Sequence, residues 1–315
     1  MLTALVTTVT IILMGFISGA ILRHMFPNQV QRLNFWCTRL ALQGAIPLSL
    51  LAAIWQLHHL SWQLFLLTIV GSLILLSGGG LAAFLAKWLK LSPSQTGAYI
   101  PAGMFMNIGA IGCFCVYLFL GEDGLALVPL YKLFEEVIYY SIAFPIARRL
   151  GQYSQQKQRP FWLDPFLLTT LSAVSAGFIL NGSGLARPLW ISDVMQFIVP
   201  LGTYLLMITV GLVFRFTDIT GLLRPALTLA ISRSILGPIL VIILAYLFQL
   251  WGIHQGLLVK VALLLSVMPT AFLSLLPPVI YGVDQKIANS YWLISSLWFL
   301  FIFPIVLLLM HFLFL

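Results

Sequence analysis

The sequence predicts an all-α integral membrane protein of ten transmembrane helices, and three observations lead there. Of the 315 residues, 61% are hydrophobic and only 8% are charged, too little polar surface to coat a soluble globule of this size. Apolar stretches of about 20 residues, the length that crosses a ~30 Å hydrocarbon layer at helical rise, recur from one end to the other. Lys and Arg are concentrated in alternate breaks between those stretches, the distribution expected when basic residues are retained on the cytoplasmic side.

The first span, about residues 2–22, lacks a basic leader and a small-residue cleavage site and reads as a retained helix. The second, third, fourth and fifth cover about 34–57, 62–86, 95–120 and 124–147. The longest polar break, RRLGQYSQQKQRP at Arg148 to Pro160, then divides the chain. Five more spans follow at about 164–181, 194–214, 225–250, 256–282 and 288–313. Two five-helix halves are therefore expected, 1–150 and 164–315, joined by a cytoplasmic connection at 151–163.

Orientation follows from the charges. The odd-numbered connections hold Arg23, Arg32, Lys87, Lys90, Arg148, Arg149, Lys157, Arg159, Arg215, Arg224 and Lys286, whereas the even-numbered ones hold only Arg187. The first connection is then cytoplasmic and both termini lie outside the cell membrane. Because each half has an odd number of spans, the second enters from the opposite side, so an internal repeat would be inverted. Inverted repeats with interrupted helices near the midplane are a recurring design of secondary transporters. The repeat itself is faint, with IPLSLL in span two echoed by VPLGTYLL in span seven.

Two spans are built to break. Span four, GAYIPAGMFMNIGAIGCFCVYLFL, carries Pro101, Asn107, Gly109 and Gly112 around its centre. Proline removes a backbone donor, and closely spaced glycines weaken a helix further. Span nine carries Pro269, Thr270 and Ser274 centrally, with Pro277 and Pro278 toward its end. Backbone groups freed at that depth persist only when buried in protein or lining a polar cavity. Fourth in one half matches fourth in the other, which favours a shared site over ordinary kinks.

Span five carries Lys132, Glu135 and Glu136, and the two acids lie about 17 Å from its outer end, close to the midplane. Charges at that depth mark a pathway, a proton relay or a buried pair. Lys132 reaches one acid at three residues or the other at four, and adjacent carboxylates about 100° apart cannot share it equally. One Glu is then left over as a candidate for coupling. Arg39 and Arg233 lie near the cytoplasmic ends of their spans, where long side chains snorkel, and a structural role is expected for both.

In these residues the chain resembles the auxin efflux carrier family, which includes plant auxin carriers and bacterial permeases for malate and malonate. The resemblance rests on Asn107 with Gly112 five residues on, GEDGLALVPLY ahead of the fifth span, Arg233 before Gly237 and Pro238, Pro269 with IYGVDQKIANS, and Pro47 in span two. It implies ten helices in two inverted repeats, a substrate site where the fourth and ninth cross, and homodimers. It also implies that position 135, where plant members have Gln, and Tyr140 lie near substrate. The chain departs from the family at Met106, where plant members have Pro, and at Phe114, which replaces a later Pro. The fourth-span break is therefore expected to rest on Pro101 and the glycines.

The expected function is secondary transport of a small organic anion of the carboxylate class by alternating access, with protons as a candidate coupling ion. The alternatives are a sodium-coupled carrier of the bile-acid-symporter type and a non-transporting receptor. No enzymatic motif, cofactor or nucleic-acid partner is expected, and the +8 net charge is assigned to membrane orientation. Cys37, Cys113 and Cys115 lack metal-ligand spacing and read as packing residues. The five histidines form no catalytic motif, and no nucleotide-binding segment would drive transport with ATP.

Overall fold

The computed structural model describes residues 2–57, 62–151, 165–213 and 222–314. His58, His59, Lys157, Arg159, Arg215 and Leu315 lie outside the described residues. The described residues are predominantly helical, with no strand among them. Among the described residues, seven helices are long and apolar enough to cross a membrane: Val6–Met25, Pro27–Trp55, Gln63–Trp88, Pro93–Tyr131, Trp190–Val213, Leu223–Leu247 and Gln285–Leu313. Chain near the other three expected spans is helical too, but shorter or interrupted, as in Leu168–Gly182 and Leu250–Ser266.

In chain order the α-helices are α1 Leu2–Met25, α2 Val30–Leu40, α3 Ile46–Trp55, α4 Leu66–Trp88, α5 Pro93–Met104, α6 Cys113–Tyr131 and α7 Glu135–Ile138. They continue as α8 Phe144–Leu150, α9 Pro165–Gly182, α10 Trp190–Val213, α11 Leu223–Leu247, α12 Leu257–Ser266, α13 Leu276–Tyr281 and α14 Gln285–Leu313. Local sequence explains several boundaries. Ser92 and Gln95 form a reciprocal capping box at the start of α5. Asp284 caps α14 by accepting the N–H groups of Lys286 and Ile287 at 2.8 and 3.1 Å. Gly121, at φ 69°, kinks α6 where an L side chain would be strained.

Three π-helical turns, Ala41–Ala45, Ile108–Gly112 and Tyr139–Ala143, widen the helices locally. Two have a plain cause. Pro47 and Pro145 cannot donate to the carbonyls four residues back, at Gln43 and Ser141, and those carbonyls lie inside the turns that precede α3 and α8. Widening the turn accommodates the missing donor and the ring.

The chain divides into two compact units, each drawing on both halves of the sequence. The first comprises Met1–Ser61, Gly109–Pro129 and Arg159–Arg215. Here α1 packs on α10 through glycine: a Cβ at Gly19 would run into the Ile208 carbonyl, and one at Gly211 into that of Phe16. Lipid gives helices no hydrophobic reason to associate, so close backbone approach at small residues carries the packing. Asn181 of α9 donates to the Trp55 and Leu57 carbonyls at 3.0 and 2.7 Å, satisfying the end of α3. Arg187 pairs with Glu122 and donates to the Ala52 carbonyl at 3.1 Å.

The second unit comprises Trp62–Ile108, Leu130–Gln158 and Phe216–Leu315. Within it α4 packs against α5 and α11, and α11 against α12 and α14. Hydroxyls bind these helices at depth, Thr68 donating to the Leu130 carbonyl at 2.7 Å and Tyr99 to that of Pro225 at 2.6 Å.

Candidate functional site

The second unit holds two helix interruptions, and they pair with each other. The α5 helix ends at Met104, Phe105 is extended at φ −69° and ψ 127°, and helix resumes only at the π-turn from Ile108. The α12 helix ends at Ser266, and Ala271 is extended at φ −66° and ψ 147° before the 3₁₀ turn Phe272–Leu275. The Asn107 N–H donates to the Pro269 carbonyl at 2.8 Å, and the Ala271 N–H to the Phe105 carbonyl at 3.4 Å. These bonds flank Met106 and Thr270 as the rungs of an antiparallel pair would.

The two central residues are held alike. The Met106 N–H donates to the Tyr139 hydroxyl at 3.1 Å, and the Thr270 N–H to the Ser295 hydroxyl at 3.2 Å. Met106 would have bonded Ala102 in an unbroken helix; that carbonyl instead accepts the Thr270 hydroxyl at 3.1 Å. Unpaired backbone groups at this depth are costly, so the break exists where other groups take them up. The fourth-span break lies at 105–107, beyond Pro101, which stays inside α5. It falls between Pro101 and the glycines on which the expectation rested it.

On the α7 side, the Lys132 ammonium lies 2.9 Å from Glu135 Oε2, and Tyr139 donates its hydroxyl to Glu135 Oε1 at 2.5 Å. Glu135 is 4% exposed. A chain of polar contacts thus runs from Lys132 through Glu135 and Tyr139 to the Met106 amide. The Tyr139 ring also stacks on Phe105, with centroids 3.7 Å apart. Of the two acids within reach of Lys132, Glu135 is paired with it; the Glu136 side chain lies outside the described residues.

On the α11 side, Arg233 is buried at 7% exposure. It donates to Thr270 Oγ1 at 3.2 Å, the Tyr291 hydroxyl at 3.3 Å and the Met268 carbonyl at 3.1 Å. Snorkelling was the expectation for Arg233, and the structure corrects it: the guanidinium turns inward because the second break offers three acceptors. Arg39 does behave as a peripheral side chain, bonding Gln43 at 2.8 Å and lying over the Phe35 and Trp36 rings.

The structure therefore joins Asn107, Pro269, Thr270, Lys132 and Glu135 in one network. Pro47, Gly109 and Gly112 belong to the first unit, Pro47 buried at the start of α3 and the glycines in the Ile108–Gly112 π-turn, where Thr203 donates to the Ala110 carbonyl at 3.1 Å. Ser274 is fully buried, its hydroxyl without a hydrogen-bond partner among the described residues. Tyr140 is half-buried with its ring edge-on to Phe144 at 4.8 Å; its neighbour Tyr139 reaches the break. Tyr139, Arg233, Tyr291 and Ser295 were not singled out as site residues by sequence reasoning. Nothing in the sequence separates two adjacent tyrosines, since a π-turn shifts the helical phase there. Among the described residues, no group of three or more His, Cys, Asp or Glu is placed to hold a metal.

No family model matches the chain. A curated protein of Rhizobium meliloti (strain 1021), named "Putative malonate transporter", is 27% identical over 205 residues, covering 62% of this chain and 61% of that protein's length. The alignment spans under two thirds of that protein's length, and the apolar helices are those of a multi-pass membrane protein.

Proposed function

We propose that the chain is a secondary transporter of a small carboxylate anion, working by alternating access with ten spans in two inverted five-helix repeats. The observation that carries the proposal is the reciprocal backbone pairing of 105–107 with 269–271. Polar backbone is tolerated at membrane depth where it is buried or lines a cavity, and interrupted helices at matched positions are where secondary transporters bind substrate. The relative's name supports the substrate class. The allotment of chain supports the repeat: the first two expected spans of each half contribute to the first unit, and the third, eighth and tenth lie in the second. Glu135 and Glu136 are both candidates for proton coupling; with Glu135 paired to Lys132, we take Glu136 as the first to test.

Uptake into proteoliposomes, measured for labelled mono- and dicarboxylates with and without sodium and pH gradients, tests this reading. Accumulation of a dicarboxylate driven by a pH gradient, with that dependence lost in Glu136→Gln, is the expected result. A strict sodium requirement would instead favour the sodium-symporter alternative, and no flux of any carboxylate would defeat the proposal. The basic asymmetry further requires both termini outside, so a tag at Leu315 should react with an impermeant reagent in intact cells. Protection of that tag would reverse the topology.

A further inference from the structure

We infer that Arg233 is the cationic group that receives the carboxylate of the transported anion, seated in the cavity between α11, α14 and the second helix break. The inference deepens the transport reading above and rests on it. Two charged residues are buried to this degree among the described residues, Glu135 and Arg233. Glu135 has Lys132. Every acceptor bonded to Arg233 among the described residues, by contrast, is a neutral oxygen: a threonine hydroxyl, a tyrosine hydroxyl and a backbone carbonyl. A buried cation without a counter-charge is a costly feature, offset in part by such bonds and fully only by an anion.

Donor accounting points the same way. A guanidinium has five N–H groups, of which Nη1 uses two and Nη2 one in these contacts. The Nε–H and one Nη2–H remain unspent among the described residues. They sit on neighbouring atoms, the arrangement that meets both oxygens of a carboxylate. Arg233 lines a cavity of ≈ 20 Å³ together with Ser234, Ser266, Tyr291 and Ser295. That volume takes one or two polar atoms and not a whole organic acid, so it suits the charged head of an anion whose remainder extends beyond it.

Arg233 also clasps the break through Met268 and Thr270, so the test must separate recognition from architecture. The full chain in proteoliposomes is assayed for uptake of labelled malonate, with unlabelled malonate and its neutral diamide, malonamide, as competitors. In Arg233→Gln, KM for malonate should rise about 10- to 100-fold, the loss expected for a charge-assisted contact, and the preference for malonate over malonamide should disappear. Arg233→Lys keeps the charge without the paired donors and should fall between. Unchanged KM and preference in Arg233→Gln, with only yield or turnover reduced, would make Arg233 a clasp and overturn the inference.

Should Arg233→Gln fail to fold, Ser295→Asp decides. Its carboxylate, on the residue that already bonds Thr270, would neutralise Arg233 from within. A folded Ser295→Asp protein that no longer takes up malonate supports the assignment; one with wild-type KM refutes it. Absence of uptake of malonate and of the other carboxylates by the wild type overturns the transport reading and this inference together, whereas uptake retained with wild-type KM in the variants overturns the inference alone.

Discussion

Replacing Lys132 by Met is expected to lower stability by about 3–5 kcal/mol, the cost of breaking a buried ion pair from one side. Glu135 is 4% exposed, and its Oε2 lies 2.9 Å from the ammonium. Its Oε1 accepts the Tyr139 hydroxyl, and Tyr139 in turn holds the Met106 amide. Loss at Lys132 should therefore reach the helix break as well as the charge pair. The double variant Lys132→Met/Glu135→Gln should recover most of the loss, because an amide still accepts from Tyr139 and no charge is stranded. Melting temperatures of the four proteins of this cycle in detergent give the coupling. A Lys132→Met protein as stable as the wild type, or a double variant no better than the single, would show that the pair is solvated and not structural.

Thr270→Val should destabilise the protein by about 2–4 kcal/mol and abolish transport, although the side chains match in shape. The hydroxyl donates to the Ala102 carbonyl and accepts from Arg233. Valine leaves both groups buried and unsatisfied, at about 1–3 kcal/mol for a neutral group and more for a charged one. Thr270 also sits between the two backbone bonds that join the breaks, so slackening there should move both. Thr270→Ser retains the hydroxyl and should restore uptake and most of the stability. Wild-type uptake by Thr270→Val would remove the crossing from the transport site.

These two residues mark how far a sequence reaches in a membrane protein. Helical class, the approximate spans and the two weak points near Asn107 and Pro269 follow from composition and from proline and glycine chemistry, because lipid imposes the same rule on every residue: satisfy the backbone locally or be buried. The charged cluster at Lys132 and Glu135 was legible for the same reason, since so few charges occur inside the spans. Tertiary structure alone decided where the fourth span opens. Its prolines and glycines permit a break over many residues, and Pro101 tolerates a continuous helix; the break settles at 105–107 because Tyr139, Pro269 and Thr270 supply partners there. Tertiary structure also turned Arg233 inward, decided by acceptors at Met268, Thr270 and Tyr291 that are distant in sequence and that no spacing along the chain encodes.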